Sequence, residues 1–238
     1  MAEDKQAETR GDPRARIVDA LLALAAERRF EEISIADVSA RAGVSLADFR
    51  DAFPSKGAIL GGFARRIDRA ALSGGEAGLA DSSKCDRLFD ALMRRLDAMA
   101  PYREALREIV AWLKRDPIAA LAMNASVINS LRFALASAGI DSEGVSGAIK
   151  LQGLALAWTR VVGVWLDDCE PDLSKTMAAL DRELTRGERA VATVDGLERF
   201  AAPFVVAAQT ACAKGRRAGE AVRRRARNED APRSPGSP

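Results

Sequence analysis

The residues whose types and spacing point to chemistry lie between positions 34 and 56. Ser34 with Asp37, and Ser45 with Asp48, have the spacing of a capping box, in which a hydroxyl and a carboxylate satisfy the free N–H groups of a helix start. They open short helices over about 34–41 and 45–52. Ala42, Gly43 and Val44 break the first, with Gly43 suited to the left-handed conformation after a helix end. Two short helices joined by a three-residue turn with a glycine form a helix-turn-helix. The second helix then presents a face that fits a DNA major groove, about 12 Å wide. Leu46 and Ala47 start that helix, where they meet a thymine methyl group or simply solvent. Asp48 is either a cap or an acceptor for a cytosine amino group.

Other elements must hold that pair of helices, because neither is stable alone. A first helix begins at Asp12 and Pro13, carries an apolar stripe of Ile17, Leu21 and Leu24, and ends near Arg28 or Arg29. Ile35, Val38, Val44, Phe49 and Phe53 are expected to turn inward against it. Phe53, Pro54, Ser55 and Lys56 stop the second short helix and start a longer one, to about Leu72. Small and polar residues over 73–83 read as a domain boundary. Further helices follow over about 84–99, 101–115, 116–138, 145–168, 172–191 and 195–215. Alanine is frequent, β-branched alternation is rare, and apolar residues recur at steps of three and four, so the fold class is all-α. The expected organisation is an arm over 1–11, a DNA-binding domain over 12–72 with its motif at 34–53, a larger helical domain over 84–215, and a basic tail over 216–238.

Composition removes most alternatives. The chain has 238 residues, 48% of them apolar, enough for a sizeable core. It contains no histidine, which excludes Ser-His-Asp and Cys-His catalysis and His-bearing zinc sites. No glycine-rich phosphate loop is present, so no enzyme activity, metal or cofactor is expected. Three scattered cysteines, the lack of a basic-then-apolar opening and the lack of a long uncharged apolar run fit a cytoplasmic protein without a transmembrane segment. The net charge of +2 is uneven: Lys214 to the end carries eight basic and three acidic residues, while residues 13–62 hold seven of each sign.

The order and register of these motifs over the first 70 or so residues resemble the N-terminal domain of the TetR family of transcriptional repressors. Ala42, Gly43, Val44 and Ser45, followed by Phe53, Pro54, Ser55 and Lys56, carry the resemblance. It implies an all-α homodimer that places two heads on a palindromic operator in double-stranded DNA, with a C-terminal domain that dimerises and binds a small ligand. Arg50 falls where the family contacts DNA, to a phosphate or a guanine, although that place is usually a tyrosine. Lys56 matches a phosphate-contacting lysine of the family. Ser34, Arg41 and Ser45 are candidate backbone contacts, and both serines are equally accounted for as caps. Asp51 lies on the same helix, near positions the family often fills with basic residues.

In the larger half, Trp112, Met123, Val127, Leu131, Trp158 and Val162 sit on apolar helical faces, interrupted by polar residues such as Gln152. These seven are the candidate lining of a pocket for a small apolar or amphipathic ligand; core packing explains them as well. Helices 145–168 and 172–191 match the family's usual dimer elements in order, and Gly153, Ala155, Ala157 and Gly163 permit close helix approach. The segment from Val164 to Arg182 resembles a lipid-binding family of ubiquinone biosynthesis that shares the TetR fold. That second resemblance implies an alternative function, a lipid or isoprenoid carrier without DNA binding.

Overall fold

The computed structural model describes residues 12–74 and 82–190, with no β-strand among them. The chain forms two compact units, Met1–Glu188 and Arg189–Pro238, and the described part of the second is residues 189 and 190. The expected arm over 1–11, residues 75–81 of the expected loop, the expected helix over 195–215 and the basic tail lie outside the described residues.

Helix α1 (Pro13–Glu27) starts as its sequence dictates: the Asp12 carboxylate accepts the Arg14 N–H at 2.9 Å, and Pro13 takes the first helical position. A 3-10 turn (Phe30–Glu32) leads into α2 (Ile35–Ala42) and α3 (Leu46–Ala52). Helix α4 (Lys56–Leu72) is capped by the Ser55 hydroxyl, which accepts the Ala58 N–H at 3.2 Å. Then come α5 (Lys84–Met99), α6 (Arg103–Arg115), α7 (Pro117–Ser137), α8 (Gly144–Asp167) and a helix over 174–190, here α9. Helix α6 starts two residues later than expected because Pro101 sits in a separate 3-10 turn, Ala100–Tyr102.

One core runs through the first unit. Ile17, Leu21, Phe30 and Val38 of the head belong to the same buried cluster as Leu92, Leu96, Leu131 and Trp165 of the larger half. Helix α1 packs on α6, and α4 packs on α1, α5 and α7. Two ion pairs about half a turn apart fix α4 on opposite sides. Arg66 donates to Asp19 of α1 at 2.5 Å. Asp68 pairs with Arg95 of α5 and accepts the Ser130 hydroxyl of α7 at 2.8 Å. The Arg95 guanidinium also lies 5.5 Å from the centre of the Trp158 ring on α8. Where α4 crosses Phe53, residue 62 is glycine: a Cβ there would lie 2.9 Å from the phenyl ring.

Helix α8 ends in a polar corner. The Asp168 carboxylate accepts the backbone N–H and the hydroxyl of Thr176, at 2.9 and 2.7 Å. Arg103 and Arg107 of α6 donate to the carbonyls of Asp168 and Leu166, at 2.8 and 2.7 Å. Cations placed on the last carbonyls of a helix offset its unsatisfied C-terminal groups.

Helix α7 departs from the sequence reading. By length and composition it is apolar enough to cross a membrane, although no such segment was expected. Its only charged residue, Arg132, lies near its C-terminal end, after an uncharged run of 15 residues, 117–131. Ile118 and Leu121 on this helix are 81% and 75% exposed.

Candidate nucleic-acid interface

The turn between α2 and α3 is fixed from three sides. Gly43 has φ +62°, the left-handed conformation that ends α2. The Ser39 hydroxyl donates to the Val44 carbonyl at 2.7 Å. From α1, Arg16 donates to the carbonyls of Ala42 and Gly43, at 3.3 and 3.2 Å. Both capping boxes are complete. The Ser34 hydroxyl accepts the Asp37 N–H at 3.1 Å, and the Asp37 carboxylate accepts the Ser34 N–H at 2.9 Å. Ser45 and Asp48 repeat this at 3.0 and 3.3 Å. The hydroxyl of Ser45 and then its N–H hold the Asp48 carboxyl below the usual aspartate range; the N–H and hydroxyl of Ser34 do the same to Asp37.

Val38, Phe49 and Phe53 are buried, and Val44 is half-buried. Ile35 corrects the expectation that it turns inward, being 43% exposed. It opens α2, and the inward-facing positions of that helix are Val38 and Ala42, one turn apart.

The expected contact residues separate into two groups. Leu46, Ala47, Arg50 and Asp51 share the exposed side of α3, opposite the buried Phe49 and Ala52. Leu46 is 60% exposed, and among the described residues no partner is seen for the Arg50 or Asp51 side chain. The others have intramolecular partners. Ser34, Ser45 and Asp48 are caps. Arg41 makes two hydrogen bonds to Glu27 of α1, at 2.9 and 2.6 Å. The Lys56 ammonium turns inward, donating to the carbonyls of Phe30 and Ile33 at 2.7 and 2.8 Å, and lies 4.4 Å from the centre of the Phe30 ring. Its burial there lowers the Lys56 pKa.

Phe30, which the sequence reading passed over, is a junction between the two halves. Its ring is fully buried, with the Trp112 ring of α6 at 4.3 Å between centroids. Its N–H donates to Glu108 of α6 at 3.2 Å, and Glu31 beside it pairs with Arg115 at 2.8 Å. The only sequence signal was a lone aromatic between two charged pairs, Arg28 with Arg29 and Glu31 with Glu32.

The seven expected pocket residues are spread over α6, α7 and α8. Trp112 sits on Phe30 at the junction. Leu131, Trp158 and Val162 are buried in the core, and Met123 and Val127 are half-buried against it. Gln152 is exposed, accepting a hydrogen bond from Asn124 at 3.4 Å. Packing of α7 on α8 and of α6 on the head accounts for these positions. A cavity of about 230 Å³ between α8 and α9 is lined by Val161, Val164 and Ala179 with Arg160, Arg182, Glu183 and Arg186.

The fold is that of TetR regulators. The chain is similar to the crystal structure of a TetR transcriptional regulator from Nitrosomonas europaea, with a TM-score of 0.58 and 23% identity over 74% of this chain and 97% of that one. It is also similar to a TetR transcriptional regulator from Rhodococcus sp. RHA1, with a TM-score of 0.54 and 22% identity over 75% and 97%. No protein-family model matches the sequence. No curated protein matches it either.

Proposed function

We propose that this chain is a DNA-binding transcriptional regulator of the TetR type, acting in the cytoplasm as a repressor. The observation that carries this reading is the outward face of α3, where Leu46, Ala47, Arg50 and Asp51 have no partner among the described residues, on a helix capped at its start and braced by α1 and α2. A homodimer would place two such helices in successive major grooves, about 34 Å apart, on a palindromic operator. Helices α8 and α9 are the proposed dimer elements; Gly153 and Gly163 on α8 have open space where a side chain would stand. A small apolar or amphipathic ligand bound in the larger half would change the separation of the heads and so release the operator. The domain division proposed is a head over 12–72 and a ligand-binding and dimerisation half over 84–215, with the arm and the basic tail outside both.

The test is fluorescence anisotropy of the full chain against DNA from upstream of its own gene, with random DNA as competitor and Arg50→Ala alongside. Saturable binding that exceeds random DNA, weakens with salt and drops in the variant is the expected result. Binding no better than random DNA there and across genomic fragments would overturn the reading. A second reading, a lipid carrier on the same fold, is favoured by the exposed apolar side of α7, where Ile118 and Leu121 stand in solvent. Organic extraction and mass spectrometry of the purified chain test it, and recovery of no lipid would count against it.

A further inference from the structure

The seven basic side chains over residues 13–62 are almost all engaged within the head. Arg16 and Lys56 donate to backbone carbonyls. Arg28, Arg29 and Arg41 pair with Asp37, Glu31 and Glu27. Arg14 lies over the Phe53 ring at 4.9 Å. Arg50 alone has no partner among the described residues, and Asp51 beside it repels phosphate. Over 13–62, which hold the helix-turn-helix, this leaves Arg50 as the free cation on the outward face of α3, the head's further exposed cations Arg65 and Arg69 standing on α4. Phosphate contacts fix register and orientation, whereas sequence is read at base edges, which the α3 face is free to reach.

We infer that α3 reads its half-site through an apolar and a guanidinium contact on neighbouring base pairs: Leu46 against a thymine methyl group, and Arg50 on the O6 and N7 of a guanine. This rests on the regulator reading above. Leu46 and Arg50 are four residues apart, so they stand on one side of α3 about 6 Å from each other along the axis. Base pairs follow at about 3.4 Å, so the two side chains span one to two steps. Among the base edges of the major groove, the thymine C5-methyl is the apolar group, and it suits the leucine. Guanine presents two acceptors in the geometry of a guanidinium fork. Asp51, on the same exposed side, accepts from the amino group of the cytosine paired with that guanine or with its neighbour. Neither Leu46 nor Arg50 supports the fold, so both are free for recognition.

The test begins with selection of half-sites from randomised duplexes by the full chain at low salt. The selected sites should hold a thymine and a guanine within two base pairs. Replacing that thymine by deoxyuridine removes only the methyl group and should weaken binding by the full chain about fourfold per half-site. Leu46→Ala should bind the thymine site about as weakly and should be indifferent to deoxyuridine. Replacing the guanine by 7-deazaguanine should cost the full chain about tenfold and Arg50→Ala little. Circular dichroism checks that both variants keep their helices. A selected site whose deoxyuridine loss persists unchanged in Leu46→Ala, or one lacking either base, overturns this inference and leaves the regulator reading intact. Selection that yields no sequence preference overturns both.

Discussion

Removing the charge of Asp68 should destabilise the protein far more when Arg95 is present than when it is not. The two side chains are 15% and 11% exposed, and each is the other's countercharge where α4, α5 and α7 meet. Asp68→Asn keeps the shape and the Ser130 contact but leaves the guanidinium with the Trp158 ring as its remaining support. Breaking a buried pair from one side costs about 3–5 kcal/mol, and the residual exposure here places the loss near the lower figure, about 3 kcal/mol. Arg95→Met preserves length and strands the carboxylate, at a similar cost of about 3 kcal/mol. The double variant strands neither charge, and its loss should be about 2–3 kcal/mol instead of the additive 6 or so. Urea unfolding followed by circular dichroism measures all four proteins, at one fixed protomer concentration because association contributes to apparent stability. A coupling smaller than about 0.5 kcal/mol would refute the reasoning, since it would mean that the pair is effectively solvated.

Trp112→Ala should cost about 3 kcal/mol, the lower end for a tryptophan because the ring is half-buried on Phe30, and urea unfolding checks it. Lys56→Met should destabilise by about 2 kcal/mol through lost charged hydrogen bonds, yet leave the slope of operator affinity against salt unchanged. A slope shallower by about one per head would show instead that the ammonium reaches phosphate. The lowered Asp37 and Asp48 carboxyls set an acid limit: their contribution is complete above the unfolded value near 3.9 and is lost as pH falls through the lower folded value. The urea midpoint should therefore hold steady from about pH 6 to 4 as far as these two groups decide it, and part of its fall below that should vanish in a Ser34→Ala, Ser45→Ala variant.

Much of the head was legible because its signals are local. The serine and aspartate spacings, Pro13 and Gly43 each act on backbone within three residues, and the helices start and stop beside them. The outward side of α3 followed from periodicity alone, since burying Phe49 and Ala52 leaves Leu46, Ala47, Arg50 and Asp51 facing solvent. The fates of Arg41 and Lys56 were not legible. Their partners, Glu27 and the carbonyls of Phe30 and Ile33, are 14 to 26 residues away and meet them only through tertiary packing. The apolar faces of the larger half were visible, but a sequence pattern does not distinguish a face that lines a space from one that fills it. Trp112 shows the difficulty: it sits at apolar helical spacing, and its partner is a ring in the head.

Placement of the head depends on two supports that a regulatory change must move together. Helix α4 closes the head and is bound to α1 by Arg66 and to the larger half by Asp68. Helix α6 reaches the head from its other end, through Trp112 on Phe30, Glu108 on the Phe30 N–H and Arg115 on Glu31. Lys56 joins them, since the first residue of α4 donates to the same turn that α6 holds. A shift of α4 alone would pull the ammonium off two carbonyls, and a shift of α6 alone would unstack Trp112. Each loss costs about 2–3 kcal/mol, comparable to the whole coupling energy of a typical effector. The head is therefore expected to move as a rigid body with both helices. An effector that favours one arrangement would act through α7, which packs on both α4 and α6, rather than at the head itself.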